Sequence, residues 1–325
     1  MRTAKTISAA VFFACFISGA SAAARAAESS AAQFLSLGFG ARALGMGEAF
    51  TAVADDASAV YYNPAGLVFL KPGAEGSTGE KNVSELLISH SLHIQDTGLT
   101  QLAYSRGHTG FSLTYFSAGS LEGRDSNGNL NPDFTAADFA FSGGYAVALG
   151  RLSAGTALKV VRQRIEHSAA SAVCADAGLL YGFETLPLTL GFSVSNLGTK
   201  VKFEDESFPL PLIYRAGLAV RTGKSFPAVL SAEADLPNDS SAIFRAGAEY
   251  TGFKFIAFRA GYRTSPSAQR NAILGTDYGG SSGLSELYGF YMGLGFTLST
   301  VRIDYALLPY GELGSSHRFS VGMKF

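Results

Sequence analysis

The chain reads as all-β: a transmembrane antiparallel β-barrel of about fourteen strands, with an N-terminal helical hatch plugging its lumen. Three observations predict this. Apolar residues alternate with small ones in segment after segment, as Phe290, Met292, Leu294, Phe296 and Leu298 do against Tyr291, Gly293, Gly295 and Thr297. Only 16% of the 325 residues are charged and 38 are Gly, and mean hydropathy is +0.18, yet no apolar run beyond residue 27 is long enough for a membrane helix. The chain also opens on an export signal. Arg2 and Lys5 precede an apolar run over 7–20, and Ala20-Ser21-Ala22 is a small-x-small cleavage site. The expected divisions are a signal peptide at 1–22, a hatch at 23–80 and a transmembrane barrel at 81–325.

The region after the signal does not alternate. Gly45-Met46-Gly47 punctuates it, and Asp55 or Asp56 is placed to cap a short helix through Tyr62, because a carboxylate accepts the free N–H groups of a first turn. Pro64 disfavours helix at Asn63 and ends it, before Ala65 and Gly66. So compact a piece ahead of a barrel sits most simply inside the lumen.

Alternating segments then begin near Glu85, Leu99, Thr109, Ala136, Arg151, Ala172, Pro187, Pro211, Phe226, Ala242, Lys254, Tyr288, Thr300 and Ser316. At about 9–11 residues a crossing they use roughly 140 positions. The longer connections are expected at 121–135, 198–210 and 265–287, all rich in Gly, Ser, Asn, Asp and Pro. The non-apolar face carries Gly, Ala, Ser and Thr with single charges such as Lys159, Arg215, Arg245 and Arg259. A soluble sandwich would present a Lys/Glu-rich outer face, whereas a membrane barrel turns its apolar residues to lipid and its small ones to the lumen.

Composition and spacing exclude several functions. A net charge of −1 supplies no footprint for nucleic acid. Of two cysteines, Cys15 lies in the signal and Cys174 stands alone in a small apolar run, a packed residue without a base. Gly223-Lys224-Ser225 lacks the leading glycine of a phosphate loop, since Leu218 holds that place, and Gly45-Met46-Gly47 has Phe50 where a dinucleotide fingerprint needs glycine. In the run Asp125 to Asn131 the glycine is misplaced for a calcium loop, and Asn127-Gly128 reads as a hairpin tip. His90 and His93 differ by an odd number along a strand and point to opposite faces, so no metal is expected. The chain is therefore read as non-enzymatic, with no catalytic residue and no cofactor.

The stretch from Gly40 to Leu67, with Asn63-Pro64-Ala65, resembles the N-terminal signature of the PorV/PorQ family, related to the FadL-type outer-membrane barrels. Phe134 to Asp138, Gly155 to Val160, Asp176 to Tyr181, Asn196-Leu197-Gly198 and the run from Asp304 to Phe325 are similar in the same order. The resemblance implies a fourteen-strand barrel with an N-terminal hatch in the outer membrane of a diderm bacterium, surrounded by lipid. It implies that the last strand, with Phe319, Val321, Met323 and terminal Phe325, is read by the barrel assembly machinery. It also implies binding or shuttling of exported cargo proteins in type IX-like secretion, and on the FadL side passive transport of a hydrophobic small molecule. A mature chain of roughly 300 residues has little to spare for the long loops of FadL-type importers, which favours the secretion-linked expectation.

Overall fold

A computed structural model describes residues 30–70, 83–92, 97–124, 127–203, 206–264, 289–310 and 315–325. The signal peptide, the connection at 265–287, His93 and the boundary between residues 80 and 81 lie outside the described residues.

Among the described residues there are sixteen strands: β1 (Ser84–Leu92), β2 (Gly98–Arg106), β3 (Thr109–Arg124), β4 (Leu130–Leu149), β5 (Leu152–Ile165), β6 (Ser168–Gly182), β7 (Leu188–Gly198), β8 (Val201–Phe203), β9 (Glu206–Phe208), β10 (Ile213–Arg221), β11 (Ala228–Pro237), β12 (Ile243–Tyr250), β13 (Ile256–Arg263), β14 (Phe290–Leu298), β15 (Val301–Pro309) and β16 (Ser315–Lys324). Fourteen of them close into one antiparallel barrel, with β8 and β9 paired apart. β16 seals the ring against β1 from Glu85↔Lys324 to Leu92↔His317. Ser84 and Phe325 exchange both backbone hydrogen bonds, at 2.8 and 2.9 Å, so the closed sheet has no edge to leave unpaired in lipid.

The alternation faces the way the sequence predicts. Phe290, Met292, Leu294, Phe296 and Leu298 are exposed on the outside while Tyr291 between them is buried, and Phe319, Val321, Met323 and Phe325 are exposed in the same manner on β16. Such an exterior only lipid can cover. The barrel's two chain ends share one rim with the tight connections 107–108, 150–151 and 299–300, and the opposite rim carries the longer connections, including 199–212. In outer-membrane barrels the short-turn rim faces the periplasm.

Two expected loops are corrected. Over 121–135, β3 runs on to Arg124 and β4 starts at Leu130, leaving only the tip, where Gly128 has φ +83°. The two strands continue as a ribbon past their neighbours with register shifts at Ser117/Ser120 and Leu121/Gly123. Each bulge switches the phase of the side chains, which hides the alternation. Over 198–210 the chain makes the β8–β9 pair rather than an open loop.

Residues 30–70 lie within the ring. Phe39, Met46, Phe50, Val53, Val60, Tyr62 and Leu67 form one buried cluster with Leu87 of β1, Ala103 of β2, Ala146 of β4, Ala157 of β5 and Ala219 of β10. Burying each large side chain here contributes about 1.5–3 kcal/mol, so this segment serves as the barrel's core. Its regular structure comes in short pieces: 3-10 turns at Gln33–Ser36 and Pro64–Leu70, and helical turns at Ala41–Gly45 and Ala59–Tyr62. The helix expected to start from Asp55 or Asp56 is one turn long and begins later. Asp56 Oδ1 accepts from the Ser58 amide (3.0 Å) and hydroxyl (2.5 Å), tying the turn before it. Asn63 is extended, as the following proline requires, at φ −157°.

Candidate functional site

The site is the interface between residues 30–70 and the lumen wall, and glycines make room for it. A Cβ on Gly155 would come within 2.4 Å of Pro64 C, and one on Gly178 within 1.9 Å of Asn63 Oδ1. Similar added atoms would meet Thr51 O at 2.6 Å from Gly191, and Gly47 N at 2.0 Å from Gly261. Several of these glycines face one another across the ladder, as Gly155↔Gly178 and Gly247↔Gly261 do. The wall is thus shaved where the backbone of the segment touches it.

The predicted motif residues take up these seats. Gly45 lies against Gly293, where a Cβ would stand 2.9 Å from Gly293 Cα, and Met46 is fully buried over Gly247. Gly47 needs to be glycine twice over, because its φ is +64° and a Cβ would meet Tyr262 N at 2.8 Å. Asn63 is fully buried, donating to Thr51 O (2.9 Å), Leu179 O (3.1 Å) and Phe192 O (3.4 Å) and accepting from the Ala65 amide (3.2 Å). Leu179 and Phe192 face each other across β6 and β7, so Asn63 clasps that seam. Gly66 fits under Ala54, where a Cβ would stand 2.0 Å from Ala54 O. Phe319, Val321, Met323 and Phe325 are not part of this site, since they face outward.

Charges fasten the segment to one side of the wall. Arg42 contacts Asp55 (2.5 Å), Asp56 (3.2 Å) and Glu249 of β12 (2.8 Å), and Asp55 also reaches Arg221 of β10 (3.1 Å). Arg245 joins Glu48 to Asp235, both at 2.8 Å. The Thr51 amide donates to Glu233 at 2.7 Å. Burial alone would raise the Asp55 carboxyl, but Arg42 and Arg221 outweigh it and hold that carboxyl below the ordinary range. On β5, Lys159 pairs with Asp176 (2.8 Å) and donates to Asn196 (2.7 Å).

The sequence reading found Lys159, Arg215, Arg245 and Arg259 on the lumen face but missed their partners. Asp176, Glu233, Asp235, Glu249 and Asp304 lie on the same inward face. The signal was available, because a buried charge needs an opposite one and these carboxylates share the small-residue phase of their strands.

The other rim differs in chemistry. Phe34 and Leu35 insert into a cluster of Ala140, Val161, Ala170, Ala172, Cys174, Val201 and Leu210, with Phe116 and Phe203 packed on it. Cys174 is a buried free thiol, as expected of a packed residue. Above it the Ser30 hydroxyl donates to Asp239, Gln33 Nε2 donates to the same carboxylate at 2.8 Å, and the Ala32 amide donates to Gln163 at 3.0 Å. The lumen therefore holds an apolar cluster on the β4–β6 side near the long-loop rim, and buried ion pairs on the opposite side in both halves of the wall, Arg245–Asp235 toward the long-loop rim and Arg42–Glu249 toward the short-turn rim.

No protein-family model matches the sequence, and no curated protein matches it. Solved structures do match the fold. The toluene transporter TbuX of Ralstonia pickettii aligns with a TM-score of 0.54 at 14% identity, over 88% of this chain and 97% of that one. The P. putida toluene transporter TodX gives 0.53 at 13% identity over 88% and 96%, and a Pseudomonas aeruginosa FadL homologue gives 0.50 at 12% over 88% and 98%. These neighbours are channels and transporters on the FadL side of the resemblance. The chain is a closed fourteen-strand barrel with the fold of FadL-type outer-membrane proteins, and its apolar exterior places it in the outer membrane of a Gram-negative-type bacterium.

Proposed function

We propose that this barrel carries hydrophobic small molecules passively across the outer membrane, with residues 30–70 as its hatch. The observation that carries the reading is the apolar cluster around Phe34 and Leu35 near the long-loop rim, with the ion pairs of Arg42 between it and the short-turn rim. The likeness to toluene transporters supports the same reading. No reaction is involved, and the work is exclusion of water and ions while an apolar solute passes.

The test is uptake into cells that carry or lack the protein, comparing a labelled monoaromatic hydrocarbon with a sugar of similar size. Faster entry of the hydrocarbon alone is expected, and equal entry of both, or of neither, overturns the reading. The motif resemblance to PorV/PorQ favours a second reading, a barrel that binds exported cargo. An exported protein copurifying with the barrel, without any gain in hydrocarbon entry, is the result that would select it. In either role we assign Phe319, Val321, Met323 and Phe325 as the outward-facing signal for the barrel assembly machinery. Deleting Phe325 is expected to lower the amount reaching the membrane, and an unchanged level would remove that assignment.

A further inference from the structure

Hydrophobic passage makes no use of a closed ring of six charges at the short-turn rim. Arg42 meets Glu249 at 2.8 Å, and Glu249 meets Arg259 at 2.7 Å. Arg259 meets Asp304 at 2.8 Å, and Asp304 meets Arg302 at 2.7 Å. Arg302 meets Asp56 at 3.0 Å, and Asp56 closes on Arg42 at 3.2 Å. Signs alternate all the way round, so each charge has two opposite neighbours and the ring is neutral. Asp56 and Arg42 belong to the segment, while the other four stand on β12, β13 and β15.

Withdrawing six charges from water is unfavourable and is offset only while the set is complete, because removing one leaves two buried partners half compensated. A cleft of about 310 Å³ opens beside the ring at the short-turn rim, lined by Arg42, Glu249, Arg259 and Arg302 together with Asp55, Glu85 and Lys324. Phe50, in the buried cluster with Phe39 and Tyr62, lies under the Arg42 guanidinium, with 5.3 Å from Cζ to the phenyl ring centroid. Asp55 answers to Arg42 and Arg221, and Glu85 lies 3.8 Å from Arg302.

We propose that the ring is a single electrostatic latch that keeps the occupied lumen tight to ions and is released as a unit from the short-turn side. The proposal rests on the hatch reading but not on which solute is carried. Burial would raise Asp56, but Arg302 and Arg42 hold it well below the usual range. The contribution of such a group is present above its unfolded value and is lost only as pH falls through the lower folded one.

The full chain is inserted into a planar bilayer and potassium conductance is read, with heat-modifiable migration confirming a folded barrel. The parent is expected to be silent at neutral pH. Guanidinium ion, which competes for the carboxylates, should bring conducting steps when added on the short-turn side, where the cleft opens, and none when added on the other. Acid at about pH 3 should leave the parent silent, because Asp56 stays ionised there. Glu249→Gln should conduct at neutral pH. Arg302→Gln gives a second reading should Glu249→Gln fail to assemble. A folded Glu249→Gln or Arg302→Gln barrel as silent as the parent, or an equal response to guanidinium from both sides, overturns the latch. A parent that conducts freely at neutral pH overturns instead the hatch reading beneath it.

Discussion

The two ends of the segment in the lumen are held by opposite kinds of chemistry. Its inner end, at the short-turn rim, closes a ring of arginines and carboxylates in which Glu249 takes both Arg42 and Arg259, at 2.8 and 2.7 Å. Its outer end, at the long-loop rim, holds by a few hydrogen bonds around Asp239 and by Phe34 and Leu35 resting among small apolar side chains. The ionic end is strong while complete and fails abruptly. The apolar end gives way by degrees, and an apolar solute could stand in for what it loses. Local opening starts where the contacts are fewest and least coupled, which is the outer end.

The largest effect is expected from breaking the inner end. Glu249→Gln leaves Arg42 and Arg259 buried without their shared partner, a loss of about 3–5 kcal/mol in the stability of the segment's seat. Hydrogen exchange over residues 41–62 should report it. The sharper form is the double variant with Arg42→Gln, which should cost little more than the worse single one because the two act through one ring. Simple additivity would mean the pairs are independent.

Much of this contrast could not be read from the sequence, for a definite reason. Period-two alternation is a local property, so strands were legible from residues such as Phe290 to Leu298 and Phe319 to Phe325 without knowing their neighbours. The break in alternation ahead of the barrel and the backbone demands of Gly45, Gly47 and Asn63-Pro64 were legible because they are also local. The ring was not, because Arg42 and Glu249 are 207 residues apart in sequence and meet only once fourteen strands fix their register. The glycine seats show the same limit: Gly155 and Gly178 looked like ordinary small residues on a lumen face until Pro64 and Asn63 were set against them. Bulges in β3 and β4 concealed the ribbon at 118–135 by switching phase halfway along.

Next in size is Phe34→Ala. Phe34 is buried at the outer end, and emptying its place should cost about 3 kcal/mol, the low end for such a truncation, where the surrounding cluster collapses. Exchange should rise over residues 31–37 and stay unchanged over 41–62. Cys174, in the same cluster, should then react quickly with a small apolar thiol reagent that labels the parent only slowly. Protection lost equally along the whole segment would show that its two ends are not separate.

Gly178→Ala tests the seat between them. The added methyl would meet Asn63 Oδ1 at 1.9 Å, the far end of a side chain fixed by three backbone carbonyls. Overpacking of this kind costs about 1–3 kcal/mol. Pairing it with Asn63→Ala, which removes the obstructing group, should cancel most of the methyl's own penalty.

The smallest effect is expected at Asp239, and its smallness carries information. The carboxylate accepts from the Ser30 hydroxyl and from Gln33 Nε2, and Asp239→Asn keeps its shape while removing the charge that strengthens both bonds. A partly exposed hydrogen-bonding group of this kind contributes about 1 kcal/mol, a fivefold change in how often residues 30–37 lift, by the factor of ten that about 1.4 kcal/mol represents. Exchange should speed by that order over these residues alone, and Cys174 should label faster in proportion. Added hydrocarbon should have the same direction of effect if it competes with Phe34 for the chamber, and its effect should shrink in Phe34→Ala, where there is less to displace. A response to Asp239→Asn as large as that of Glu249→Gln would place a second lock at the long-loop rim and end the division between a fixed inner end and a yielding outer one.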